Sequence, residues 1–220
     1  MKLVLASGSQ RRRELLTMCG YDYEIIVSNA DETIDENDPE SFVRALSFRK
    51  AKEVFDRLFA AGRRDFAVIG SDTVVAFQKE GGTKPVIIGK PKDAKDAVRI
   101  LSMLSGKTHR VFTGVSVIAD IPDENAAAQC SIREKAEIQT ECSITEVTFE
   151  TLSPDEITDY VNSGDPLDKA GSYGIQGPFG MFVREIRGNY FTVIGMPIPV
   201  LYKMLKKIGI LPHGFYERIE

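Results

Sequence analysis

Apolar residues along the chain switch repeatedly between a period of two and a period near 3.6, which predicts short strands and helices in alternation. Residues 2–6 (Lys-Leu-Val-Leu-Ala) read as a strand ending in a Ser/Gly turn. A helix follows from about Gln10 to Cys19 and is stopped by Gly20. Residues 23–27 give a second strand, and residues 29–38 an acidic loop. Asp38-Pro39 opens a long helix, with Asp as N-cap and Pro in the first turn. Its stripe of Val43, Leu46, Val54 and Leu58 runs towards Gly62. Residues 66–77 form a strand, Gly81-Gly82 a hairpin turn, and residues 86–88 lead to Gly89-Lys90-Pro91. Another helix carries Ala94, Ala97, Leu101 and Leu104 and ends at Gly106.

Two strands come next, over residues 110–119 and 136–149, with the polar segment 120–135 between them as a surface loop. Ser153-Pro154-Asp155-Glu156 is a capping box for a helix that ends near Gly164. Residues 165–180 are Gly-rich and irregular. Strands at 181–187 and 190–194 precede a helix at 197–208, and the tail after Gly209 is peripheral. The alternation places the chain in the α/β class. The adjacent late strands make its sheet mixed rather than purely parallel, with helices flanking it.

Some polar residues break this pattern, and they carry the chemistry. Asp72 lies inside Ala67-Val68-Ile69-Gly70-Ser71-Asp72-Thr73-Val74-Val75-Ala76, which otherwise reads as a buried strand. A buried carboxylate is costly unless it is paired or metal-bound. Three roles stay open for Asp72: general base on water, metal ligand, or structural partner of a buried Arg. Ser7-Gly8-Ser9-Gln10-Arg11-Arg12 joins a strand to a helix. Amides at a helix start, hydroxyls and guanidinium forks all suit phosphate oxygens. The bland alternative, a solvated basic helix start, is electrostatically poor, because cations prefer the other end of a helix. The loop is not a Walker A sequence.

Lys50 shares the helix face of Leu46 and Val54, either to snorkel to solvent or to meet a ligand. Lys90, between Gly89 and Pro91, is a second isolated cation. Asp31-Glu32 is either surface charge or a second carboxylate beside Asp72, and hard oxygen ligands of this kind suit Mg²⁺ or Mn²⁺. In Asp168-Lys169-Ala170-Gly171-Ser172-Tyr173-Gly174-Ile175-Gln176-Gly177, small residues bracket a Lys and a Gln. Gln176 is able to read a base edge with its donor and acceptor, or is an exposed residue on a glycine-rich connection. His109 reads as structural rather than catalytic, and the cysteines as inert.

Length and charge narrow the choice. The 220 residues, 43% of them hydrophobic, make one domain, or one core with two lobes. A net charge of -4 favours neither nucleic acid nor an anionic membrane, so a local basic cluster must meet an anionic substrate. Three scattered cysteines (Cys19, Cys130, Cys142) without a C-x-x-C argue against a disulfide framework or zinc and fit a reducing cytosol. The start is too short for a signal peptide, and no run reaches the roughly 18 apolar residues of a membrane span.

Five segments together resemble one family. They are residues 5–16 (Leu-Ala-Ser-Gly-Ser-Gln-Arg-Arg-Arg-Glu-Leu-Leu), Gly70-Ser71-Asp72-Thr73-Val74-Val75, Gly89-Lys90-Pro91, Leu104-Ser105-Gly106-Lys107-Thr108-His109, and Asp168 to Gly177. In this order they resemble the Maf family of nucleoside triphosphate pyrophosphatases. The resemblance implies metal-dependent hydrolysis of a nucleoside triphosphate to its monophosphate and pyrophosphate. It also implies an inosine-triphosphatase-like fold with two lobes around a central cleft, and a homodimer. Asp72 then matches the proton acceptor, while Glu32, Lys50 and Lys90 match positions lining the phosphate and metal region. Arg11, Thr73 and Gln176 match the positions that track substrate choice, and this set looks like the dTTP/UTP branch. The branch preferring 7-methyl-GTP has Trp and Glu where this chain has Arg11 and Gln176. Two departures are Gln10 in place of the usual Pro and a longer segment at 120–135.

The expected mechanism follows. Ser7, Ser9, Arg11, Arg12, Lys50 and Lys90 hold the triphosphate, with Thr73, Lys169 and Gln176 as further substrate contacts. Glu32 and Asp72 hold a divalent metal, and Asp72 activates water for attack on the α-phosphorus. Two rivals are a nucleotidyltransferase, whose loop would carry further Gly and a differently spaced Lys, and a non-catalytic nucleotide-binding regulator of cell division.

Overall fold

The computed structural model describes residues 1–78, 81–82, 84–121 and 136–214. Most of the expected 120–135 loop, Cys130 and the end of the tail lie outside the described residues. The elements run in the order β1 (Lys2–Leu5), α1 (Gln10–Met18), β2 (Tyr23–Ile25), α2 (Pro39–Ala60), β3 (Phe66–Phe77), β4 (Val86–Ile88), α3 (Ala94–Leu104), β5 (Thr108–Asp120), β6 (Ala136–Phe149), α4 (Pro154–Asn162), β7 (Val183–Arg187), α5 (Tyr190–Ile194) and α6 (Ile198–Lys207). One seven-stranded sheet has the order β2-β1-β3-β5-β6-β7, with β4 also paired to β3. β1 pairs in parallel with β2 and β3, and every other pairing is antiparallel. The sheet is mixed, as the adjacent late strands require.

Helix α2 covers one face along the whole length of β3. Its Ala51, Val54 and Phe55 pack on Phe66, Val68 and Ile118, and its Val43 packs on Val74, Ala76 and Phe112. The approach is close because two strand positions lack a side chain. A Cβ on Gly70 would sit 2.1 Å from the Ser47 carbonyl oxygen, and one on Gly114 would sit 2.2 Å from that of Val43. The other face carries two separate cores. Leu15 and Leu16 of α1 and Leu201, Met204 and Leu205 of α6 cover Ala67, Ile69, Val115 and Val117. Ala97, Ile100 and Leu101 of α3 and Ile157, Tyr160 and Val161 of α4 cover Val75, Phe77, Val111 and Phe149. These two cores form the two lobes, and a cleft opens between them over the middle of β3.

One sequence expectation is overturned. Residues 190–194 form the short helix α5, not a strand. Asn189 caps it, its Oδ1 accepting from the Phe191 and Thr192 amides, and Gly195 closes it with a φ of 111°. These local caps outweigh the β-propensity of Tyr, Phe, Thr, Val and Ile. The preceding strand also starts later than expected, at Val183, because Pro178–Phe182 form a 3₁₀ turn.

Candidate active site

The sheet itself makes the site. β1 ends its pairing at Leu5 with Ile69, and β4 begins its pairing at Ile88 with Val75. Both lie on the edge of β3 away from β5, which pairs along Ala67 to Ala76. Residues 70–74 therefore have a bare edge on that side, a notch flanked by the loops that follow β1 and β4. A cavity of about 1260 Å³ opens there, larger than the ~300–1,000 Å³ usual for small-molecule sites. All eleven sequence-selected residues line it: Ser7, Ser9, Arg11, Arg12, Glu32, Lys50, Asp72, Thr73, Lys90, Lys169 and Gln176.

Strand alternation puts Asp72 on the same face as Gly70, towards α2. The close approach of α2 then brings Lys50 onto it. Lys50 Nζ lies 2.7 Å from Asp72 Oδ1 and 2.9 Å from Glu32 Oε1. Lys50 does not snorkel to solvent; it makes the direct ion pair with Asp72, and the buried Arg12 lies near enough to interact with the same charge. Asp72 is only 9% exposed, and its Oδ2 accepts no hydrogen bond among the described residues. Glu32 lines the cavity and pairs with Lys50, whereas Asp31 is fully exposed and accepts from the Thr33 amide in its own turn.

Ser71 and Thr73 point to the opposite face, where Arg12 lies. Arg12 donates through Nε to the Gly195 carbonyl at 2.8 Å, through Nη1 to Ser7 Oγ at 3.1 Å and through Nη2 to Thr73 Oγ1 at 3.4 Å. Burial lowers its pKa from the ordinary value, while the charge of Asp72 opposes this and that of Arg11 adds to it. The basic helix start is thus folded into the site and not simply solvated. Ser9 is the N-cap of α1, yet its side chain caps no amide and no acidic residue stands in the first turn. That leaves the positive end of the helix open to an anion.

Across the cleft, Lys169 Nζ donates to the Asp165 carbonyl at 2.5 Å, to Asp165 Oδ1 at 3.0 Å and to Asp168 Oδ1 at 2.7 Å. Burial works against the Asp168 carboxylate, but Lys169 and Arg11 hold its pKa below the ordinary range. Carboxylates are therefore nearly as frequent as cations on the wall. Among the described residues, Arg11 and Lys90 line the cavity without a direct ion pair, although Arg11 acts on Asp168 through space. The Gly171 amide donates to the Gly89 carbonyl at 3.0 Å, which ties the glycine-rich loop to the turn bearing Lys90. Gln176 is exposed at the rim.

His109 stays outside the chemistry, as expected. It is buried, its Nε2 lies 2.9 Å from the Tyr173 hydroxyl, and burial pushes its pKa down to about 3. Burial likewise raises the Cys142 thiol to about 12, which fits an inert cysteine.

Sequence reasoning missed Gly195, whose carbonyl accepts from both Arg12 and Ser71 Oγ. Its only signal is the Gly195-Met196-Pro197 stop at a helix C-terminus. It also missed Thr113, whose Oγ1 lies 3.0 Å from Thr73 Oγ1 and donates to the Thr192 carbonyl.

The fold and site together define a mixed α/β protein with a charged cleft at a break in one strand edge. The family model described as Maf-like protein matches residues 2–208, and the chain belongs to that family. It is 40% identical over 217 residues to a dTTP/UTP pyrophosphatase of Agathobacter rectalis, covering 95% of this chain and 98% of that one. It is 42% identical over 210 residues to a dTTP/UTP pyrophosphatase of Bacillus thuringiensis, covering 95% of this chain and 96% of that one. The Ham1 protein of Staphylococcus aureus, a solved structure, aligns with 94% of this chain and all of its own at 13% identity and a TM-score of 0.45.

Proposed function

We propose that the chain hydrolyses nucleoside triphosphates, dTTP and UTP in preference, to the monophosphate and pyrophosphate. The carrying observation is Asp72 at the notch, held at Oδ1 by Lys50 with Oδ2 left for water. The names of the relatives support the substrate class.

Arg11, Lys90, the open start of α1 and the hydroxyls of Ser7 and Ser9 receive the triphosphate oxygens. Arg12, fixed by Gly195 and Ser7, offers a preset guanidinium. Lys50 serves both Asp72 and the developing phosphate charge. Asp72 Oδ2 accepts a proton as the water oxygen bonds to the α-phosphorus, the α–β bridging P–O bond breaks, and pyrophosphate leaves with the electron pair. Thr73, Lys169 and Gln176 complete the wall on the side of the sugar and base. Such sites accelerate mainly by positioning and by electrostatic stabilisation.

Glu32 and Asp72 are the carboxylates that would hold a divalent cation. Both now pair with the Lys50 ammonium, and no group of three or more acidic, His or Cys ligands occurs among the described residues, so substrate phosphates would have to supply most of the shell. Mg²⁺ or Mn²⁺ bound there would neutralise phosphate charge. A cytosolic homodimer belongs to the same reading, on family membership. Among the described residues, no helix is long and apolar enough to cross a membrane.

The test is a panel of canonical and modified nucleoside triphosphates assayed for pyrophosphate with Mg²⁺, Mn²⁺ and chelator. We expect release from dTTP and UTP, without an acceptor substrate and abolished by chelator. Binding without turnover would overturn the enzyme reading in favour of a sensor.

A further inference from the structure

The loop that carries Lys169 and Gln176 is held by a side chain outside the substrate contacts. Tyr160, on α4, is buried, with its ring 4.8 Å from that of Phe179. Its hydroxyl donates to Asp165 Oδ2 at 2.5 Å and accepts from the Gly174 amide at 3.0 Å. The two partners are nine residues apart in the chain, and one phenolic oxygen closes the loop between them. Asp165 uses its other oxygen and its carbonyl to hold Lys169. Gly174 stands two residues before Gln176. The hydroxyl therefore fixes both ends of residues 165–174, the segment that carries Lys169 and leads into Gln176.

The tyrosine is suited to this role. A phenol is protonated throughout the neutral range, and here burial first, and then the bond to Asp165, raise its pKa further. A Phe would fill the same space but make neither bond.

We propose that Tyr160 is a positioning residue for nucleotide recognition, acting through Asp165 on Lys169 and through Gly174 on Gln176. The inference rests on the reading of the cleft as a nucleoside triphosphate site. A hydrogen bond to a charged group that orders a binding loop is worth about a tenfold change in affinity or more. The loss should fall on binding and base choice rather than on the chemistry at Asp72.

The experiment compares the wild-type chain with Tyr160→Phe. It measures turnover of UTP, dTTP and a purine triphosphate, equilibrium binding of a non-hydrolysable UTP analogue, and the thermal midpoint. We expect KM and the analogue Kd to rise about tenfold, with kcat within about threefold and a weaker preference for pyrimidines. We expect Asp165→Asn to add little when combined with Tyr160→Phe, since both cut one chain of contacts. Unchanged KM, Kd and preference would overturn the proposal, as would a fall in kcat alone. A variant that only melts earlier, with wild-type KM and Kd, shows a purely structural role and also overturns it. Analogue binding by a wild-type chain that does not turn over would sink the hydrolase reading alone, and the Kd comparison would still decide the role of Tyr160. A wild-type chain that binds no nucleotide would sink both.

Discussion

Asp72 and Lys50 meet because each breaks the apolar pattern of its own element at a point where the two elements touch. Lys50 follows the stripe of Leu46 and Val54, and Asp72 follows Gly70 on the inward face of β3. A carboxylate and an ammonium in such a place were visible in the sequence as polar exceptions, although their pairing was not. The Gly195 carbonyl left no comparable mark, because a backbone oxygen carries no side-chain identity. Tyr160 does carry its hydroxyl in the sequence, but the reach of that hydroxyl to Asp165 is set by the packing of α4 and shows only in the fold. Asp72→Asn keeps the shape and loses the proton acceptor, so turnover should fall by roughly 10²-fold or more while the thermal midpoint changes little. Near-normal turnover by the folded variant would remove Asp72 from the chemistry.

The elements act as spacers. Helix α2 reaches Asp72 only because Gly70 and Gly114 let its backbone lie against the sheet. Gly70→Ala would place a methyl 2.1 Å from a backbone carbonyl, which no side-chain rotation relieves. We expect a loss of about 3 kcal/mol or more in urea unfolding, with lower activity in whatever remains folded. An unchanged unfolding midpoint would show that α2 shifts freely and that its closeness does not set the site. Most elements were legible from periodicity and caps, because long apolar stripes and signals such as Asp38-Pro39 and Ser153 to Glu156 are local. Helix α5 was not, because five residues of strand-forming type are too few for periodicity to decide. Its caps lie outside the run, and Asn189 is in turn held by Thr145 on the distant strand β6.

At the scale of the molecule, the break in one edge of β3 joins two lobes and leaves room for a ligand. That break depends on where β1 stops and β4 starts, a matter of strand pairing that no single segment reveals. The lobe containing α3 and α4 carries a consequence for acid stability. His109 is buried as the neutral imidazole among Phe149 and Tyr173, with its pKa depressed from 6.5 to about 3. The unfolded chain takes up that proton near pH 6.5 and the folded chain does not, so this contribution is complete above pH 6.5 and is lost as pH falls towards 3. Urea unfolding of the wild type should weaken more between pH 6.5 and pH 4 than that of His109→Gln, which has no group titrating there. Parallel pH profiles would contradict it.

The step proposed at the notch in β3 is attack of water, directed by Asp72, on the α-phosphorus of a nucleoside triphosphate. Turnover of UTP in ¹⁸O-labelled water, with both products weighed by mass spectrometry, reads this out. Label in UMP and none in pyrophosphate is the expected result, and label in pyrophosphate, or release of orthophosphate instead, would contradict the account.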